Sequence, residues 1–209
     1  MSNKIKILEL FAGSRSIGKI AERMNFEVLS SDINDFEKID YVKNILEFDY
    51  NEIDFIPDVI WASPPCTAFS VAALGHHWGG GTGAYIPKTE SAKLGIEIAK
   101  KTLEIIEHYN PKYYFIENPR GVLRKMDFMK NLPRRTISYC QYGDTRMKPT
   151  DIWTNNWRWN PRPICKNGEA CHDEAPRGSR TGTQGLSNAY ERSKIPRLLC
   201  YEILKSCLF

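Results

Sequence analysis

The stretch Ile5-Lys6-Ile7-Leu8-Glu9-Leu10-Phe11-Ala12-Gly13-Ser14-Arg15-Ser16-Ile17-Gly18 sets the reading of the whole chain. Residues 5–10 are a short, mostly apolar run that predicts a strand, the small residues after Phe11 turn the chain, and a helix is expected to about Met24. A second strand is expected over residues 26–31, ending on Asp32, a third at Tyr41-Val42, and a fourth over residues 58–62. The fourth stops at Ser63-Pro64-Pro65, because neither proline can donate to a sheet ladder. A helix from about Glu90 to Tyr109 places Leu94, Ile98, Leu103, Ile105 and Ile106 largely on one stripe, and residues 113–116 follow as a fifth strand. This alternation calls for an α/β fold with a mostly parallel sheet covered on both faces, and for ligands beyond the carboxyl ends of its strands.

Farther along, a short helix is expected near residues 121–130, and residues 135–142 and 151–154 read as two more strands, an antiparallel pair. Residues 155–186 turn to Arg, Pro, Gly, Trp and Cys with no regular period, and residues 195–204 return to a helical pattern with Pro196 suited to the first turn. The expected division is therefore a core over 1–154, a small irregular segment over 155–186, and a helix over 187–209 that returns to the core. At 209 residues with 42% hydrophobic content, the chain exceeds a mini-protein. No apolar run approaches the ~20 residues of a membrane span, and the opening residues lack the apolar stretch of a signal peptide, so a cytoplasmic protein without membrane partners is expected. The 29 Lys and Arg against 25 Asp and Glu permit a polyanionic partner without demanding one. Distribution says more: Arg124, Lys125, Arg134, Arg135, Arg146, Lys148, Arg158, Arg162, Lys166, Arg177, Arg180 and Arg192 mark the half where a phosphate backbone is expected to lie. Six cysteines in a chain read as intracellular argue for individual roles rather than a disulfide framework.

Three constellations carry chemistry. The turn from Phe11 to Gly18 lets a ligand approach the backbone, and Asp32, 19 residues beyond Gly13, suits the two hydroxyls of a ribose. Arg15 stands where a pyrophosphate-binding fingerprint has its middle glycine, which points to a nucleoside-type cofactor without phosphates. Next, Ser63-Pro64-Pro65-Cys66-Thr67-Ala68-Phe69-Ser70 presents a thiol from a rigid elbow at a strand's carboxyl end, where neighbouring donors or positive charge are expected to lower its pKa. A small buried cysteine in a loop is the plainer reading. Third, Ile116-Glu117-Asn118-Pro119-Arg120 puts an acid on the same rim, desolvated enough to hold or donate a proton; the plainer alternative is an ion pair with Arg120.

In this order and spacing the three constellations resemble the DNA cytosine-5 methyltransferase family. Leu10-Phe11-Ala12-Gly13 with Gly18 is similar to its cofactor turn, Pro64-Pro65-Cys66 to its nucleophile motif, and Glu117-Asn118 to its Glu-Asn-Val, here with Pro119 third. The resemblance spans roughly residues 4–154, with a weaker echo at Ser193-Lys194-Ile195-Pro196. Amino-methyltransferases of the same fold carry an aromatic after the prolines, which is no nucleophile. The resemblance implies a Rossmann-like S-adenosylmethionine-dependent methyltransferase. Phe11, Ala12, Gly13, Ser16, Gly18, Asp32, Ile33, Asn44 and Pro64 would hold the cofactor, and Asn44 stands where the family has an adenine-contacting Asp. It implies a cytosine flipped out of double-stranded DNA, attacked at C6 by Cys66 while Glu117 engages N3 and the exocyclic amine, with Pro65, Ser70, Asn118, His77 and Arg177 around the substrate. Family members carry Gln-x-Arg-x-Arg after a Tyr-Gly; here Tyr142-Gly143 leads to Arg146-Met147-Lys148-Pro149-Thr150, so Arg146 and Lys148 are the residues left to assist at the cytosine or a phosphate.

Residues 72–88, with His76-His77-Trp78 and several glycines, follow the nucleophile; the resemblance implies a loop that closes over DNA, and the plainer reading is an ordinary mobile surface loop. Cys165, Cys171 and His172 lie where the family has its target-recognition region; with a fourth ligand they could bind Zn²⁺, or they are unliganded thiols in a polar loop. Cys140, Cys200 and Cys207 sit in apolar patterns and are expected in the core. The reading is thus a compact DNA cytosine-5 methyltransferase of a phage, prophage or restriction-modification setting. Its rivals are an RNA (tRNA) cytosine methyltransferase and a nucleic-acid-binding homologue without turnover.

Overall fold

The computed structural model describes residues 4–81, 83–174 and 188–208. In chain order the elements are β1 (Lys6–Leu10), α1 (Ser16–Arg23), β2 (Glu27–Asp32), β3 (Tyr41–Val42), β4 (Val59–Ala62), α2 (Leu74–His77), β5 (Trp78–Gly79), β6 (Ile86–Pro87), α3 (Glu90–Tyr109), β7 (Tyr113–Pro119), α4 (Asp127–Lys130), β8 (Arg134–Ser138), β9 (Pro149–Thr154), α5 (Ala189–Ser193) and α6 (Arg197–Lys205). Seven strands form one sheet in the order β3-β2-β1-β4-β7-β9-β8. The first five run parallel, β9 is antiparallel to β7, and β8 is antiparallel to β9. The α/β fold with a mostly parallel sheet read from the sequence is present.

The central strands are apolar on both faces because both are covered. Leu8, Leu10, Ile60, Ile116 and Trp153 pack on the α3 side, while Ile7, Val59, Trp61, Phe115 and Ile152 pack on the side of Ile17 from α1 and Leu199 and Ile203 from α6. In α3 Ile98, Leu103, Ile105 and Ile106 of the expected stripe pack against the core, but Leu94 is 47% exposed, and the buried face is completed by Ala92, Gly95, Ala99 and Thr102. Small residues let this helix approach closely; a Cβ on Gly95 would lie 3.2 Å from the Phe69 ring. Three buried acids sit within strands, Glu9 of β1, Glu117 of β7 and Asp151 of β9. Asp151 is held by Arg124 and by the Thr136 hydroxyl at 2.8 Å, and Glu9 and Glu117 are discussed below. Among the described residues no helix is long and apolar enough to cross a membrane.

Two predicted elements differ from those observed. The strand expected over 135–142 ends at Ser138, and residues 139–142 wind into a 3-10 turn closed by Gly143 at φ +83°. The glycine-rich loop after Cys66 contains α2 and a small β5-β6 hairpin instead of an open loop. Trp78 anchors this insert, donating from Nε1 to the Ala68 carbonyl at 2.6 Å.

Candidate active site

The carboxyl ends of β1, β2, β3, β4 and β7 form one rim, and most of the expected site residues stand on it. After β1 the chain turns tightly: Phe11 (φ +57°), Gly13 (φ +48°) and Arg15 (φ +53°) all adopt left-handed backbone, unusual for the two that carry side chains. The turn is fixed by Ala12 N–H donating to the Ser31 carbonyl and Gly13 N–H to Asp32 Oδ2, both at 3.0 Å. Asp32 Oδ1 accepts from the Asn34 backbone at 2.9 Å. Ile33 beside it is 64% exposed. Asn44 lies two residues after β3, where its Oδ1 accepts from Leu46 N–H at 3.1 Å and so caps a 3-10 turn.

Gly18 and Ser16 make contacts within the fold. Gly18 is buried in α1, where a Cβ would come 2.6 Å from Glu9 Oε2, so its smallness makes room for Glu9. Ser16 Oγ accepts from Ile195 N–H at 3.2 Å and borders a cavity of about 260 Å³ between α1 and the α5–α6 segment, which none of the other expected cofactor residues lines. Glu9 is 2% exposed, accepting from Ile17 N–H at 3.1 Å and the Ser30 hydroxyl at 3.0 Å. Burial raises its carboxyl to about 7, against the hydrogen bonds from Gly18 and Ser30 and the nearby Arg15 charge. Arg15, the residue that replaces a glycine in the turn, is buried here, donating to Ser30 Oγ at 2.9 Å and pairing with Glu22 at 2.5 Å.

Residues 63–70 are braced from several directions. Phe69 and Ser70 N–H both donate to the Cys66 carbonyl at 3.0 Å, and Val122 N–H donates to the Phe69 carbonyl at 2.8 Å. Gly121 permits that contact, since a Cβ there would lie 2.1 Å from the Phe69 oxygen. Asn118, expected to touch substrate, is fully buried and donates from Nδ2 to the Pro64 carbonyl at 2.9 Å. It is a positioning residue for the elbow. Pro64 is buried, Pro65 exposed, and Cys66 half-buried with Ser70 close behind. The expected lowering of the Cys66 thiol pKa is corrected: desolvation and the Glu117 carboxylate push it up, while Lys148 opposes them more weakly.

Glu117 is 6% exposed and does not pair with Arg120; its Oε1 accepts from the Tyr139 hydroxyl at 2.9 Å and lies 4.0 Å from Lys148 Nζ. Burial and Glu117 together hold the Tyr139 phenol well above its ordinary range, so it stays a donor. Lys148 Nζ also sits 4.5 Å over the Tyr139 ring and donates to the Arg192 carbonyl at 3.1 Å. Arg146 is different from the expectation. It is 4% exposed, bidentate to Asp144 and hydrogen-bonded to the carbonyls of Arg192 and Lys194, so it ties the β8–β9 connection to the chain before α6. Its guanidinium is consumed internally, as are those of Arg124 on Asp151 and Arg162 on Glu202, which trims the basic half available to phosphates.

His77 is likewise corrected: it is 8% exposed and bonded through Nδ1 to Thr89 Oγ1 at 2.7 Å, joining α2 to the start of α3. Arg177 lies outside the described residues. Cys200 and Cys207 are buried in the core. Cys140 is buried too, but its thiol joins Cys165, Cys171 and His172 rather than apolar side chains. Sequence reasoning missed Tyr139, Gly121, Cys140 and Glu9. Only Glu9 carried a signal, a charge in the middle of a strand apolar on both sides.

Residues 5–135 match the family model of the C-5 cytosine-specific DNA methylase. The "Probable DNA (cytosine-5)-methyltransferase" of Frog virus 3 (isolate Goorha) is 29% identical, over 97% of this chain and 100% of its own length. Among solved structures, a DNA modification methyltransferase encoded within an E. coli prophage superposes with a TM-score of 0.53 at 14% identity, over 78% of this chain and 52% of its own. The Entamoeba histolytica methyltransferase EhMeth superposes with a TM-score of 0.52 at 17% identity, over 73% of this chain and 53% of its own. These two share the fold, and the chain spans about half their length. With well over half of its residues matched by the family model, and a sheet whose rim carries a thiol and a carboxyl on neighbouring strands, the chain belongs to the C-5 cytosine-specific DNA methylase family.

Proposed function

We propose that this protein transfers a methyl group to C5 of a cytosine flipped out of double-stranded DNA, by way of a covalent adduct on Cys66. The observation that carries the reading is the joint presentation of Cys66 and Glu117, with Asn118 bracing the Pro64 elbow from the same strand that carries Glu117. The donor set on the rim fits S-adenosylmethionine, which supplies an electrophilic methyl group when bound. The Asp32 carboxylate keeps lone pairs for ribose hydroxyls beyond the N–H groups it already accepts, Asn44 keeps its amide nitrogen for a base, and Ile33 offers an exposed apolar side chain. Phe11, Ala12, Gly13 and Pro64 would complete the walls of that cleft.

With Glu117 Oε1 taken by Tyr139 and Lys148, Oε2 has no partner among the described residues and is the oxygen left for cytosine N3 and the exocyclic amine. Glu117 engages the ring nitrogen, and the Cys66 thiolate forms a bond to C6. The C5–C6 π electrons move to C5, which takes the methyl group. Loss of the C5 proton then restores the double bond and expels the Cys66 thiolate. Lys148, beside both Glu117 and the thiol, favours the ionised form of Cys66 at the moment of attack. We assign residues 1–154 to catalysis and residues 155–186 to target recognition, with Pro65, Ser70 and Arg177 toward the nucleic acid.

The test is a duplex carrying 5-fluorocytosine in varied contexts, incubated with S-adenosylmethionine and resolved on a denaturing gel. Fluorine cannot leave C5 as a proton, so a cofactor-dependent adduct is expected from the wild type and not from Cys66→Ala. Parallel transfer of a tritiated methyl group to DNA and to RNA separates the substrates. Transfer to RNA alone would overturn the DNA assignment, and no adduct on duplex, single strand or RNA would overturn the catalytic one.

A further inference from the structure

Cys140 of the 3-10 turn joins Cys165, Cys171 and His172 of the irregular segment, and together they bring four ligand atoms within 4.8 Å of each other. Cys165 Sγ lies 3.3 Å from Cys171 Sγ and 3.4 Å from His172 Nδ1, and Cys171 Sγ lies 3.7 Å from the same nitrogen. A tetrahedral zinc ion with bonds of about 2.3 Å to sulfur and about 2.0 Å to nitrogen spaces its ligands by roughly 3.5–3.8 Å. The observed separations lie within that spacing or a few tenths of an ångström below it, and are far from the ~2.05 Å of a disulfide. All six cysteines of the chain are free thiols.

We propose that Cys140, Cys165, Cys171 and His172 bind one structural Zn²⁺. Three soft thiolates and an imidazole select zinc over the oxygen-seeking cations, and four protein ligands leave no open position, so the ion is a staple and not a Lewis acid for the reaction. The need for a staple is visible in the chain around it. Residues 155–174 contain no helix or strand and are held by individual polar ties, among them Arg162 N–H to the Tyr142 hydroxyl at 2.9 Å, Arg162 to Glu202 at 2.6 Å, Cys165 N–H to Ser138 Oγ at 3.1 Å and Asp173 N–H to the Thr145 carbonyl at 2.8 Å. Beyond Trp159, which is buried in the core, the segment buries little apolar surface, and a metal supplies folding free energy for the part that follows. The ion ties it to the turn of residues 139–142. That turn presents Tyr139, the donor to Glu117, so the same staple fixes one wall of the rim and the root of the segment that continues into residues 175–187. Cys171 is exposed and His172 half-buried, which gives a metal access from one side.

The test uses the full chain, purified under reducing conditions without chelator, and does not depend on methyl transfer. Mass spectrometry of bound metal is expected to give one zinc per chain. Replacement by Co²⁺ is expected to give the visible d–d bands of a tetrahedral centre with thiolate-to-metal charge transfer. Cys171→Ser, at an exposed position that folding tolerates, is expected to weaken zinc by at least about tenfold and to reduce the charge-transfer intensity. Cys140→Ser is expected to act in the same direction, and Cys66→Ala to retain the full equivalent. A chain that stays metal-free after stoichiometric zinc is added, cobalt spectra without thiolate bands, or a Cys165–Cys171 disulfide in the reduced preparation would each overturn the proposal.

Discussion

Replacing Glu9 by glutamine tests whether a buried carboxyl beneath the turn after β1 governs the pH dependence of folding. The unfolded chain releases this proton near the ordinary value of 4.5, whereas the folded chain holds it to about 7. Between those values the folded state carries the extra proton, so stability is greatest below about 4.5, falls as pH rises, and levels off above about 7. At about 1.4 kcal/mol per unit, the full window amounts to roughly 3 kcal/mol, of which about 2 kcal/mol falls between pH 5 and pH 7.5. Glutamine keeps the shape and an acceptor for Ile17 N–H but cannot ionise. Urea unfolding across that pH range should show the wild type losing about 2 kcal/mol more stability than Glu9→Gln. Parallel curves for the two proteins, within about 0.5 kcal/mol, would show that Glu9 is not the group responsible.

Removing the elbow brace with Asn118→Ala leaves the Pro64 carbonyl without its donor; the expected result is a stability loss of about 1–3 kcal/mol in urea and slower adduct formation. Tyr139→Phe deletes the donor to Glu117 Oε1 and should slow single-turnover transfer on the order of tenfold; an unchanged rate would remove Tyr139 from the site. Because burial and Glu117 hold the Cys66 thiol above its ordinary 9.0, the rate of adduct formation on 5-fluorocytosine should rise with pH through neutrality and on past about 9. Lys148→Met should move that profile higher still; a plateau below pH 8 would contradict it.

The central strands were legible because a sheet covered on both faces demands continuous apolar runs, and β1, β4 and β7 supply them. The rim was legible for a related reason: prolines end β4 and an acid ends the apolar part of β7, so Cys66 and Glu117 fall at neighbouring strand ends. What escaped was contact made through small residues and through space. The buried face of α3 rests on Ala92, Gly95, Ala99 and Thr102, which carry little hydrophobic signal, while the conspicuous Leu94 lies outside. Arg146 looked like a free cation in sequence because its partner Asp144 is two residues away and its carbonyl acceptors are more than forty. Tyr139 and Cys140 looked like strand residues because the left-handed Gly143, which closes their turn, has no signature beyond being a glycine.

The bracing of residues 64–70 by Asn118, Val122 and Trp78 also has a thermal consequence. The thiol is aligned while the chain folds, so its ordering entropy is settled once per molecule rather than once per turnover. No separate low-melting unit carries the nucleophile, since its ties run directly into β7 and the residues that follow it. Competence to capture a cytosine should accordingly survive heating up to the cooperative melt of the sheet and vanish together with it.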